Sequence, residues 1–165
     1  MNKIINIKSK KAISEIKAFK DKRYSMIDIR FKNANLRRIN ALLSFELFYK
    51  NDLFINSVTL WELMQPIGSS GSHNYHELQP TDIFNAISTI DDPYCVLKVK
   101  NNRYAVISIR VDNINYPLMI IIEIGSGLTI NPKANVNKIV TIYPKDDIDN
   151  YLSKISKKDV LFIKK

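Results

Sequence analysis

The chain has two histidines, His73 and His76, and both fall in residues 68–80, GSSGSHNYHELQP. Neutral imidazole accepts a proton and imidazolium donates one, both close to physiological pH. The same stretch holds two of the four glycines and runs straight into a segment with helix-start character. Two readings stand at this point. One is a flexible polar loop that delivers a general acid–base group to a helix start. The other is a surface loop with two solvated histidines.

Other chemistries find less support. Cys95 is the one cysteine, so no internal disulfide and no thiolate metal cluster can form. It lies in the apolar run YCVLKV, the setting of a buried, inert thiol. The acidic residues do not cluster at metal-ligand spacing. GSSGSH lacks the lysine and the spacing of a nucleotide-binding loop.

The elements around the histidines change character along the chain. Residues 9–22 place Ala12, Ile13, Ile16 and Phe19 at helical spacing, and residues 26–31 alternate as a short strand. A helix over residues 33–50 carries Leu36, Ile39, Leu42 and Leu43, with Asn33 or Asn35 as its cap. A third helix follows Ser57 and ends at Pro66 and Gly68. After the histidines, Thr81 or Asp82 caps a helix that stops before Pro93.

Residues 94–100, 104–112 and 116–124 then read as strands joined by Asn101-Asn102 and Asn113-Ile114-Asn115, connections short enough for antiparallel hairpins. Residues 118–122 are apolar on both faces, as in a central strand covered on both sides. A strand over 138–143, a short helix capped by Asp146 or Asp147, and a last strand over 159–163 complete the chain. The expected fold is α+β: N-terminal helices packed with a four- to five-stranded, mainly antiparallel sheet.

The 165 residues suffice for a proper core, and the 45% hydrophobic content fits a folded protein. The formal net charge is +9, and its distribution is uneven. The first 50 residues hold 13 Lys+Arg against 4 Asp+Glu, and the rest holds 12 against 12. The chain therefore divides into a basic, mainly helical region, residues 1–66, and a neutral α+β domain, residues 67–165. The basic region, with Arg37 and Arg38, reads as an RNA-binding arm, a docking surface for an acidic inhibitor or immunity protein, or a charged helical extension. No apolar run reaches the roughly 18 residues that span a bilayer. The N-terminus lacks the apolar core of a secretory signal, so a cytoplasmic setting is expected.

From His76 onward the chain reads HELQPTDIFNAIS, DDPYCVLKV, RYAVISIRV, YPLMIIIEI, NVNKIVTIYPKDDIDNYLSKI and DVLFIKK. This order resembles the C-terminal domain of phage Mu-F-like proteins, counted among the barnase–EndoU–colicin–RelE-like nucleases. The most specific block is residues 135–165; the first sixty residues fall outside the resemblance. The resemblance implies a metal-independent endoribonuclease fold needing no cofactor, in a toxin or effector of a phage or mobile element. It places His76 at the histidine before the helix, with His73 as a partner, Thr141 at the small-hydroxyl position and Tyr143 at the aromatic that follows.

Metal-free RNA cleavage needs a base for the 2′-hydroxyl, an acid for the leaving 5′-oxygen and groups that hold the charged phosphorane. His76 is the candidate base or acid. Thr141 and Tyr143 alternate with Val140 and Ile142 and so share a sheet face. Lys98 is a candidate catalytic cation, and Lys100, Arg103 and Arg110 are candidate RNA-binding cations on the same two strands. Each has a structural alternative: Thr141 is an ordinary strand residue, Tyr143 packs before Pro144, and Lys98 and Arg110 are solvated. A non-catalytic RNA- or protein-binding module is the competing function.

Overall fold

The computed structural model of the chain describes residues 4–8, 11–32, 34–49, 52–68, 75–111 and 116–164, and among residues 109–111 the backbone alone. Eight strands form one mixed sheet in the order β1-β2-β3-β7-β6-β5-β4-β8. Its members are β1 (Ile4–Ile7), β2 (Asp28–Phe31), β3 (Leu53–Asn56), β4 (Pro93–Lys100), β5 (Arg103–Val111), β6 (Pro117–Ser126), β7 (Val136–Pro144) and β8 (Val160–Ile163). The helices are α1 (Ala12–Asp21), α2 (Leu36–Leu43), α3 (Ser57–Leu63), α4 (Pro80–Ser88) and α5 (Ile148–Ser153).

The α+β class holds, but the four- to five-stranded, mainly antiparallel sheet does not. The meander β4–β7 and the edge strand β8 were expected. The expected strand over residues 26–31 is β2, and it joins β1 and β3 in extending this same sheet. β1 runs parallel to β2, β2 antiparallel to β3, and β3 parallel to β7. The physical reason is length. β1 and β3 have four residues each, IINI and LFIN, and so short an apolar run carries no period to separate strand from helix. Parallel pairing also leaves no tight-turn signal between partners.

The sheet is covered on both faces. On the first face Val96, Val106, Leu118, Ile120, Ile122, Ile139 and Ile142 pack in one cluster with the apolar stripes of α1, α2, α3 and α4. On the second face Cys95, Leu97, Ala105, Ile107, Met119 and Ile121 pack beneath Ile148, Tyr151, Leu152 and Ile155 of α5 and its C-terminal flank. β6 contributes alternately to both, as a central strand should. Cys95 has no exposed surface, and burial pushes its thiol up to about 12.

Two buried polar side chains lock connections to the sheet. The Asp28 carboxylate accepts backbone N–H groups of Thr129 and Ile130 at 3.0 and 3.1 Å. The Asn137 amide accepts from Tyr49 N–H at 3.0 Å and donates to the carbonyls of Tyr49 and Asp52 at 2.7 and 2.9 Å. α2 is shorter than the expected 33–50 helix because Ser44 turns left-handed at φ 64° and closes it, with its N–H bonded to the Ala41 carbonyl. Asn35 caps its start; Asn33 and the Asn113–Asn115 connection lie outside the described residues.

Candidate functional site

β7 sets two of the candidate residues. Thr141 pairs with Ile121 and Tyr143 with Met119, and both partners belong to the second-face cluster. Thr141 and Tyr143 therefore share a face, as their spacing predicts. The register shifts between Ile121 and Ile122, so Val140 is an extra residue in β7 and packs toward the second face as well.

β3 meets β7 at Leu53↔Asn137 and Phe54↔Lys138, and no register pair between them is described beyond Lys138. The segment ahead of α4 passes this stretch of β7 and brings His76 to it. His76 Nε2 lies 3.3 Å from Thr141 Oγ1, a hydrogen bond whose donor follows the imidazole tautomer. The His76 and Tyr143 rings are 5.5 Å apart between centroids and tilted by 34°. The Tyr143 hydroxyl donates to the Met119 sulfur at 3.0 Å.

The backbone next to His76 is held firmly. Glu77 adopts φ 55°, a left-handed conformation disfavoured for a residue with a side chain. Its N–H donates to the Gln65 carbonyl at 2.9 Å, and the next N–H, of Leu78, donates to the Leu63 carbonyl at 3.0 Å. α4 then begins at Pro80, and its cap is Gln79, two residues before the expected Thr81 and three before Asp82. Gln79 and Asp82 form a capping box, with Gln79 N–H donating to Asp82 Oδ2 at 2.7 Å. Pro80 suits the first helical position because that N–H would have no intrahelical acceptor.

Burial shapes the electrostatics. Desolvation lowers the His76 pKa from the ordinary 6.5, favouring neutral imidazole at neutral pH. Desolvation, and then Tyr151, raises the Tyr143 pKa, so its phenol stays protonated and can donate. A neutral imidazole, a hydroxyl that fixes its ring and a protonated phenol together make a site able to accept and return a proton.

Among the described residues, the candidate cations do not join this cluster. Lys98 lies on β4, three strands from β7, roughly 14 Å away at the usual strand spacing. Its neighbour Leu97 belongs to the second-face cluster, so Lys98 points to the opposite face from Thr141. There it lines a groove of about 410 Å³ with Phe45, Tyr104 and Lys158. Arg103 pairs with Glu123 at 2.9 Å. Lys100 sits exposed at the β4–β5 turn. Arg37 and Arg38 lie exposed on α2, which packs beside β8 at the far edge of the sheet. Arg110 is on β5 with its side chain outside the description, and His73 lies outside the described residues.

One arrangement near His76 was not anticipated. Tyr75 packs edge-on against Trp61 at 5.8 Å between centroids, and the Arg23 guanidinium sits 5.6 Å from the Trp61 ring centroid. The aromatic next to the histidine, Tyr75, was the signal that could have found the group. Among the described residues no three His, Cys, Asp or Glu side chains gather as metal ligands, and no helix is long and apolar enough to cross a membrane.

No curated protein and no solved structure matches the chain. The model of the phage MuF-C-terminal domain family matches residues 69–165, the stretch that carries His76, Thr141 and Tyr143. That match covers more than half of the 165 residues, and the chain belongs to the phage MuF-C-terminal domain family.

Proposed function

We propose that the chain is a metal-independent endoribonuclease, a toxin or effector of a phage or mobile element, with His76 as its proton-transfer group. The observation that carries this reading is the convergence of His76, Thr141 and Tyr143 at one stretch of β7. Neutral His76 takes the proton of a ribose 2′-hydroxyl. The 2′-oxygen attacks the adjacent phosphorus, and the bond to the 5′-oxygen breaks, leaving a 2′,3′-cyclic phosphate. The imidazolium then returns its proton to the leaving 5′-oxygen. Thr141 holds the ring in register through its hydroxyl, and Tyr143 offers a face for a base or a donor for a phosphate oxygen. RNA is the substrate class, and an acidic inhibitor or immunity protein is the partner such a toxin requires.

Purified protein incubated with total RNA in EDTA should release fragments ending in cyclic phosphate. His76→Ala should lower the rate by about 10²- to 10⁴-fold, the usual weight of a general acid–base group. Intact RNA under all conditions would sink the enzymatic reading.

A second reading keeps the surface and drops the chemistry: a non-catalytic RNA- or protein-binding module. The observation in its favour is that Lys98, Arg103, Arg37 and Arg38 stand away from His76. Salt-dependent RNA affinity that survives His76→Ala, without strand scission, would select it.

A further inference from the structure

We infer that Arg23, Trp61 and Tyr75 form a nucleobase-stacking subsite for single-stranded RNA beside His76. The inference rests on RNA as the ligand class; it does not rest on cleavage. Tyr75 and His76 are consecutive, and their side chains leave the backbone toward different neighbours. His76 reaches Thr141 on the second face of the sheet, whereas Tyr75 reaches Trp61 of α3 on the first. Their Cα atoms are about 3.8 Å apart, so the stacking group and the proton-transfer group share one backbone anchor.

The three side chains are of the types that bind unpaired nucleotides. Bases stack on aromatic rings with little regard to sequence, and guanidinium groups pair with phosphates and lie on ring faces. Core packing does not account for the placement of Trp61. α3 fills the core with Leu60 and Leu63, both fully buried, while Trp61 stays half-buried on the outer side. Tyr75 is half-buried and Arg23 exposed. Lys20 and Lys22 precede Arg23, with Asp21 between them, in the part of the chain that holds the whole basic surplus.

The group is also pre-organised. The Gln65 side chain donates to the Trp61 carbonyl at 3.0 Å and to the Lys20 carbonyl at 3.4 Å, tying α3 to α1. The Lys20 ammonium donates to Gln79 Oε1 at 3.4 Å, tying α1 to the segment that carries Tyr75. Ordering costs on binding are correspondingly small.

Trp61 is the chain's one tryptophan, so its fluorescence reads the subsite directly. The probe is an oligouridylate of about eight nucleotides, 2′-O-methylated to prevent cleavage. Saturable quenching is expected, with Kd weakened roughly tenfold by Tyr75→Ala and by Arg23→Ala and nearly unchanged by Tyr75→Phe. Because the quench is read first on the unaltered chain, a variant that fails to fold does not decide the outcome. Absence of quenching, or quenching indifferent to Tyr75→Ala and Arg23→Ala, overturns the subsite. Quenching by polyglutamate but not by the oligonucleotide overturns it in favour of an acidic protein partner. Cleavage of unmodified RNA is scored separately. Cleavage without quenching removes the subsite and leaves the ribonuclease reading, and quenching without cleavage does the reverse.

Discussion

Thr141 and His76 are 65 positions apart in the chain, yet Oγ1 of one lies 3.3 Å from Nε2 of the other. One β-strand hydroxyl thus fixes the orientation of the histidine ring. Thr141→Val keeps the shape and removes the hydroxyl. It should lower the cleavage rate by roughly 10- to 100-fold, as expected when a reacting group loses its alignment. Thr141→Ser should retain most of the rate. Equal rates for the two variants in a single-turnover assay would show that the hydroxyl does not position His76.

Burial lowers the folded-state pKa of His76 below 6.5, the value it regains on unfolding. Between the two values the unfolded chain binds the proton and the folded chain does not, so stability falls as the pH drops through that window. Above 6.5 the contribution is constant. Urea denaturation midpoints of the native chain should therefore decline below that pH more steeply than those of His76→Gln. Parallel declines would mean that His76 is not desolvated.

Lys98 is a negative control supplied by the fold. It is three strands from β7 and on the opposite face from Thr141. Lys98→Ala should leave the single-turnover rate within about threefold, since charges beyond a Debye length act weakly. A loss comparable with that of His76→Ala would place the reacting phosphate elsewhere.

Asp28 tests the architecture rather than the chemistry. Its buried carboxylate accepts the N–H groups of both Thr129 and Ile130. Asp28→Asn keeps one acceptor oxygen and should cost about 1.5 kcal/mol, and Asp28→Ala about 3 kcal/mol. Chemical denaturation measures both; a neutral Asp28→Ala would mean that water replaces the carboxylate at no cost.

How much of this was legible depended on the range of the interaction. The meander was readable because its strands are β-rich runs longer than the four residues of β1 and β3, and its connection at Asn101-Asn102 is tight. Asp147 was readable as the α5 cap because a cap acts on a neighbour, here the Asn150 N–H. The shared face of Thr141 and Tyr143 followed from strand period, although the extra residue at Val140 did not announce itself. Long-range placement was hidden. Nothing in LFIN says that it pairs in parallel with a strand more than eighty residues later. Likewise, two intervening strands and a change of face separate Lys98 from Thr141, which neither residue's own strand pattern shows.

Cys95 has a practical consequence. Alkylating reagents attack the thiolate, and a thiol held at about 12 offers almost none at neutral pH. The residue sits between β5 and β8 and under α5, with no exposed surface. A maleimide or iodoacetamide label can therefore attach only when β8 peels away, α5 lifts or the sheet opens as a whole. The native chain carries its own clock for such events: one label per molecule, counted by mass, times how often this side of the sheet comes apart.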